Sequence, residues 1–274
     1  MLRTLWPQGD SKVAGLVAGI AASAPTVFPK YGLTNDLLIA HAMAQFSHEC
    51  GAGTEVVENL NYSADGLMKT WPSRFNAVKA AAFAHHPEQI ANEVYNGRMG
   101  NAPDSDDGWQ FRGRGGAQTT GRDGYRNVAA KTAIDVVATP DLVNDPSQFL
   151  ECAVADFIIC GCLPFAAADD IQGVTKHLNG GFIGLDQRTV WLARWKTALS
   201  SDGPVPVHST MWLQQALNTV GAEPPLLADG KFGPLTSVAL KDFQQAHGLP
   251  PTGSTSDETF AAIDQALASA QRAA

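Results

Sequence analysis

Phe111-Arg112-Gly113-Arg114-Gly115-Gly116-Ala117-Gln118-Thr119-Thr120-Gly121-Arg122-Asp123-Gly124-Tyr125 is the most unusual stretch of the chain. It closes a glycine-rich segment, residues 97 to 124, that shows neither helical nor strand periodicity and reads as one long loop. Long irregular segments inside compact domains generally carry function. Arg112, Arg114 and Arg122 either face an anionic ligand or pair with the nearby acids Asp104, Asp106 and Asp107.

Around this loop the signals are helical. Apolar spacing and caps predict helices over residues 37 to 46 behind Thr34/Asn35, 76 to 85, 147 to 160, 169 to 178 ending at Gly180, and 185 to 199. Val13 to Ala24 reads as an alanine-rich first helix, the alternative being a signal segment, against which the acid and turn formers of Trp6-Pro7-Gln8-Gly9-Asp10 argue. Alternating strand patterns are scarce, so the expected class is mainly α.

Ser200-Ser201-Asp202-Gly203-Pro204-Val205-Pro206-Val207 stops the last of these helices, and its two prolines forbid its resumption. The expected organisation is a catalytic domain over residues 1–200, a linker over 201–208 and a small domain over 209–274. The small domain contains an echo: Asp229-Gly230 with Thr236 recurs as Thr252-Gly253 with Thr259, and Leu213-Gln214-Gln215-Ala216 recurs as Phe243-Gln244-Gln245-Ala246. Two loop-helix units on a third helix would share one core. Asp229 and Gly230 are expected to build the turn, with Phe232 anchoring it in that core.

Two carboxylates stand out. Glu49, in Gln45-Phe46-Ser47-His48-Glu49-Cys50-Gly51, ends an apolar helix, where burial and the negative helix terminus favour a group that carries a proton. Glu58 follows nine residues later, across a glycine-containing turn, in Glu55-Val56-Val57-Glu58-Asn59-Leu60-Asn61-Tyr62. A protonated acid and an ionised base flanking a sugar linkage are the equipment of an inverting glycosidase. Position alone leaves open a surface glutamate at Glu49, and Glu55 competes with Glu58 for the base.

Together these motifs resemble glycoside hydrolase family 19, the chitinase and phage endolysin family. Its F-R-G-R-G-x-x-Q-x-[ST]-G-R-x-x-Y signature is met at Phe111 to Tyr125. The H-E pair is met at His48-Glu49, E-N-L-N-Y-S at Glu58 to Ser63, N-G-G at Asn179 to Gly181, and D-x-R at Asp186 to Arg188. The likeness spans residues 30 to 200. It implies a lysozyme-like, α-helical, two-lobed catalytic domain in which Glu49 is the general acid, Glu58 the general base, and the Thr120 hydroxyl helps hold the attacking water. Substrate contacts fall by the same resemblance to His48, Asn61, Tyr62, Gln118, Asn179 and Arg188. Gly124 and Gly53 depart from the family pattern, where Asn and an aromatic are usual.

The small domain resembles the three-helix peptidoglycan-binding domain, matched at Asp229-Gly230-Lys231-Phe232-Gly233-Pro234-Leu235-Thr236 and at His247-Gly248-Leu249. That resemblance makes Asp229, Gly230 and Phe232 the expected wall contacts and bacterial peptidoglycan the expected partner. The composite expectation is a muramidase of the endolysin type, made in the host cytoplasm, acting on the wall as a monomer after passing a separate holin-like pore. The alternatives are a chitinase and a non-catalytic wall-binding protein.

Composition agrees with a folded hydrolase. The 274 residues are 45% hydrophobic and 17% charged, and the formal net charge is -8. That acidity argues against a nucleic-acid partner, and no apolar run reaches the roughly 20 residues that cross a bilayer. Four cysteines (Cys50, Cys152, Cys160, Cys162) make no disulfide framework and no paired zinc pattern, and His85, His86 and His177 lack ligand spacing, so no metal and no cofactor is expected.

Overall fold

The computed structural model describes residues 1 to 200, 207 to 228 and 230 to 273. Most of the expected linker and Asp229 therefore lie outside the described residues. The chain divides into two compact units, Met1–Lys196 and Thr197–Ala274. The helices are α1 (Leu2–Leu5), α2 (Leu16–Lys30), α3 (Asp36–Glu49), α4 (Ala64–Thr70), α5 (Ala77–Phe83), α6 (Pro87–Tyr95), α7 (Asp107–Gln110), α8 (Gly121–Thr132), α9 (Phe149–Ile159), α10 (Leu163–Ala167), α11 (Ile171–Asn179), α12 (Leu185–Leu199), α13 (Thr210–Thr219), α14 (Pro234–Ala246) and α15 (Asp257–Ala273). Short 3-10 turns cover Gly51–Gly53 and Pro140–Asn144. No strand forms among the described residues, only isolated bridges, and the class is mainly α.

Caps fix several of these elements. The Asn35 side chain accepts from Leu38 N, Asn76 from Lys79 N and Asp170 from Gly173 N, each answering one of the free amides at a helix start. α3 is the central helix of the first unit: Leu38, Ala40, His41, Ala42, Met43, Ala44, Gln45, Phe46 and Ser47 are all buried. Around it, α2 and α8 pack on α9. One core cluster holds Phe111, Tyr125, Val128, Val136, Val143 and Cys152. A separate cluster of Leu60, Leu67, Phe75, Ile90 and Val94 holds α4, α5 and α6 together as a second lobe.

Two readings of the sequence change here. The segment expected as one loop contains α7, whose Gly108 and Trp109 amides donate to Asn96 and Asn92 Oδ1, both at 2.8 Å. A four-residue helix capped from another helix leaves no local signal. The alanine-rich first helix runs over Leu16–Lys30, later than its apolar run suggests, because Gly15 starts it in the left-handed region.

Candidate active site

Glu49 is the last residue of α3. Its Oε1 accepts from Arg188 Nη2 at 2.6 Å, and the same guanidinium donates through Nη1 to Gln45 Oε1 and through Nε to the Ile183 carbonyl at 3.2 Å. Arg188 is 1% exposed and Glu49 14%, so the cation lies on the inner side of the pair. The residue expected to touch sugar is buried and instead grips the Glu49 carboxyl. His48 packs on the backbone of Gly184, and burial first, then Arg188, lowers its pKa.

α3 is tied down immediately before this pair. Ser47 Oγ accepts the indole N–H of Trp6 at 2.9 Å and that of Trp195 at 2.8 Å, and donates to the Met43 carbonyl at 2.6 Å. One hydroxyl therefore joins the amino-terminal segment, α3 and α12.

After Glu49 the chain reverses through Gly51, Ala52 and Gly53, all with positive φ. Gly53 cannot carry a side chain: at φ +90, a Cβ would lie 2.7 Å from the Gly9 carbonyl oxygen. The amino-terminal segment fills the space beside Gly53, which accounts for the missing aromatic there.

The reversal delivers Glu58 to the glycine-rich loop. Gly115 N donates to Val56 O and Glu58 N to Gly113 O, both at 2.9 Å, while Gly113 N donates to Glu58 Oε2 at 3.2 Å. The Tyr95 hydroxyl donates to Glu58 Oε1 at 2.5 Å. A methyl placed on Gly113 would lie 3.0 Å from Gln118 Oε1, 3.2 Å from Thr120 Oγ1 and 3.3 Å from Glu58 Cβ, so these three side chains converge on one point of the wall. Thr120 donates its proton to the Gln118 carbonyl at 2.8 Å, which leaves its lone pairs as acceptors. The Gln118 amide donates to the Glu55 and Gly115 carbonyls.

The loop arginines are structural. Arg122 pairs with Asp107, Arg114 Nε lies 2.7 Å from Asp141 Oδ1, and Arg112 stacks on Trp109 at 3.6 Å while bonding its carbonyl. Thr119 donates to Asp156 at 2.5 Å, anchoring the loop to α9. Burial pushes the Asp156 carboxyl up to about 6. Tyr62 packs edge-on against Trp71, and exposed Asn61 bonds His85 at 2.9 Å. Asn179 is exposed at the end of α11. Tyr95, Ser47 and Asp156 carried no sign in the sequence, because each acts through a partner distant in the chain.

In the second unit, Gln214 Oε1 accepts from Gly230 N at 2.9 Å and its amide donates to Thr236 Oγ1 at 3.2 Å. Gln244 repeats the arrangement on Gly253 N at 2.9 Å and Thr259 Oγ1 at 3.1 Å. Both glycines have positive φ. The echo in the sequence is therefore an echo of hydrogen bonds. Phe232 does not anchor the turn: it is 46% exposed, since the core is filled by Leu213, Leu217, Leu240, Phe243 and Ile263 and the turn is closed by Gln214 instead.

Comparison with known proteins bears on both units. Over 174 residues the chain is 33% identical to a "Glycosyl hydrolase family 19 domain-containing protein" of Haemophilus influenzae, spanning 63% of this chain and 85% of that relative. The chain belongs to glycosyl hydrolase family 19. This family 19 chain also matches, over residues 209–263, the family described as "Putative peptidoglycan binding domain". Among solved structures, a chitinase C mutant aligns with a TM-score of 0.47 and 13% identity, over 73% of this chain and 74% of that one. Among the described residues, no helix of this family 19 protein is long and apolar enough to cross a membrane, and no group of three or more His, Cys, Asp or Glu could hold a metal ion. Cys50, Cys152, Cys160 and Cys162 are unpaired, and burial raises all four thiols, Cys50 to about 12.

Proposed function

We propose that the protein is a peptidoglycan hydrolase of the endolysin type, cutting β-1,4 glycosidic bonds on the muramic side with inversion. The observation that carries this reading is the convergence of Glu58, Thr120 and Gln118 at Gly113, on the chain segment that directly follows Glu49. In the reaction, Glu49 protonates the leaving oxygen, and Arg188 holds the carboxyl and stabilises the carboxylate left behind. A water donates one hydrogen to Thr120 Oγ1 and the other to Glu58, which turns its lone pair toward the anomeric carbon. His48, Asn61, Tyr62, Gln118 and Asn179 contribute sugar contacts around this centre.

The second unit supplies the wall affinity. Its match to a peptidoglycan-binding family supports a peptidoglycan substrate over chitin. Phe232 is exposed beside the turn held at Gly230, as are Leu235 and Val238 one helical turn apart on α14, and exposed apolar side chains of this kind suit sugar faces. Asp229 and Gly230 complete the proposed contact. The catalytic domain is residues 1–200 and the binding domain 209–274; the protein works as a monomer on the wall, which it reaches through a separate pore.

The test is digestion of purified peptidoglycan by wild type, Glu49→Gln and Glu58→Gln, with reductive labelling of new sugar ends, mass spectrometry, and NMR of the first-formed anomer. Labelled muramic ends released as the α-anomer by wild type alone, with each variant slower by several orders of magnitude, are expected. Labelled glucosamine ends would move the cut, a β-anomer would end the inverting scheme, and release of sugars from chitin alone would move the substrate.

A further inference from the structure

A cleft of about 820 Å³ lies against Glu58, lined also by Lys12, Glu55, Asn59, Gln118 and Asn144. Two of these groups have no place in acid-base hydrolysis of a neutral glycan. Lys12 comes from the segment before α2, outside every motif of the catalytic centre, and is exposed. Asn144 ends the 3-10 turn Pro140–Asn144 and is half-buried, and its Oδ1 is buried with no hydrogen-bond partner among the described residues. A buried acceptor without a partner costs roughly 1 to 3 kcal/mol, and turning this side chain toward a donor in the cleft would remove that cost.

A chain of N-acetylglucosamine offers hydroxyls and acetamides but no charge for an ammonium to recognise. The peptide stem of peptidoglycan offers free carboxylates and a series of amide N–H groups. The cleft already holds the Glu55 and Glu58 carboxylates, which repel an anionic stem, and Lys12 is, among the described residues, the one cation of its lining, so a stem carboxylate can be held there only at the lysine.

Resting on the peptidoglycan reading above, we propose that Lys12 and Asn144 form a subsite for the peptide stem. The ammonium takes a stem carboxylate, and Asn144 Oδ1 accepts a stem amide N–H.

The experiment is calorimetric binding of three soluble probes to wild type, Lys12→Ala, Lys12→Arg and Asn144→Leu. The probes are a disaccharide tetrapeptide with free carboxylates, the same disaccharide keeping only its lactyl carboxylate, and chitotetraose. Lys12→Ala should weaken the tetrapeptide probe about tenfold, less at high salt, with Lys12→Arg close to wild type and the other two probes unchanged. Asn144→Leu should weaken the same probe alone. Equal losses on chitotetraose, an unchanged tetrapeptide affinity in Lys12→Ala, no tetrapeptide binding by wild type, or an effect that persists on the lactyl probe would each overturn the subsite. Failure of wild type to create new sugar ends in peptidoglycan would instead remove the hydrolase reading, a result that these binding measurements do not touch.

Discussion

The Tyr95 hydroxyl donates to Glu58 Oε1 at 2.5 Å, from a phenol whose pKa is raised first by burial and then by the Glu58 charge. The donor therefore keeps its proton, and Glu58 Oε1 accepts it in a charge-assisted hydrogen bond. In Tyr95→Phe the carboxylate loses that donor and the position it fixes beside Gly113. The value of kcat/KM should fall about tenfold while the urea midpoint stays within reach of wild type. An unchanged kcat/KM would reduce Tyr95 to a packing residue.

Arg188 holds Glu49 and Gln45 at once, and its removal leaves the Glu49 carboxylate and Gln45 Oε1 without their donor, while the Gln45 amide still reaches Thr175. Breaking such a pair on its buried side should cost about 3 kcal/mol in Arg188→Ala, read by urea unfolding. Activity should fall at least tenfold even at temperatures where the variant is fully folded. Arg188→Lys should restore part of the stability and little of the rate, because one ammonium cannot reach both side chains.

Asp156 couples the catalytic loop to pH. Its folded pKa of about 6 lies above its ordinary 3.8, so the folded state holds this proton more tightly. Its contribution to stability is complete below pH 3.8 and is lost as pH rises through 6. Asp156→Asn should match wild type near pH 3.5 and exceed it by about 3 kcal/mol at pH 7. Denaturant unfolding across that range would count against this account if the difference were constant.

Ser47→Ala removes the acceptor of two buried indoles, Trp6 at 1% and Trp195 at 2% exposure. The cost should be about 2 to 4 kcal/mol, since each orphaned N–H carries its own desolvation penalty. Adding Trp195→Phe to Ser47→Ala should cost less than Trp195→Phe alone costs in wild type. Strict additivity by thermal denaturation would mean that the hydroxyl is not the junction.

What the sequence revealed followed the range of the forces involved. Helices were readable where caps and apolar spacing are local, as at Asn35 for α3 and Asp170 for α11. α7 escaped because its caps come from Asn92 and Asn96. Glu49 and Glu58 stood out because each sits in a dense run of motif residues. Arg188 was visible as a motif residue, but its grip on Glu49 is a contact across 139 positions. Trp6, Gly9 and Lys12 precede the likeness altogether, yet they brace α3, pack on Gly53 and line the cleft. Phe232 misled because an aromatic beside a turn looks like an anchor, and only the burial of competing side chains decides which residues fill a small core.

The paired glutamine closures of the second unit bear on which of its residues can change. Each turn is fastened by one amide reaching a glycine N–H and a threonine hydroxyl, and in the second turn Ser256 Oγ adds a bond to Thr259 Oγ1 at 3.1 Å. The fastening points are Gln214, Gly230 and Thr236 in one turn and Gln244, Gly253 and Thr259 in the other. The exposed Phe232 and Leu235 are not among them, so the surface they present can vary while the turn keeps its shape.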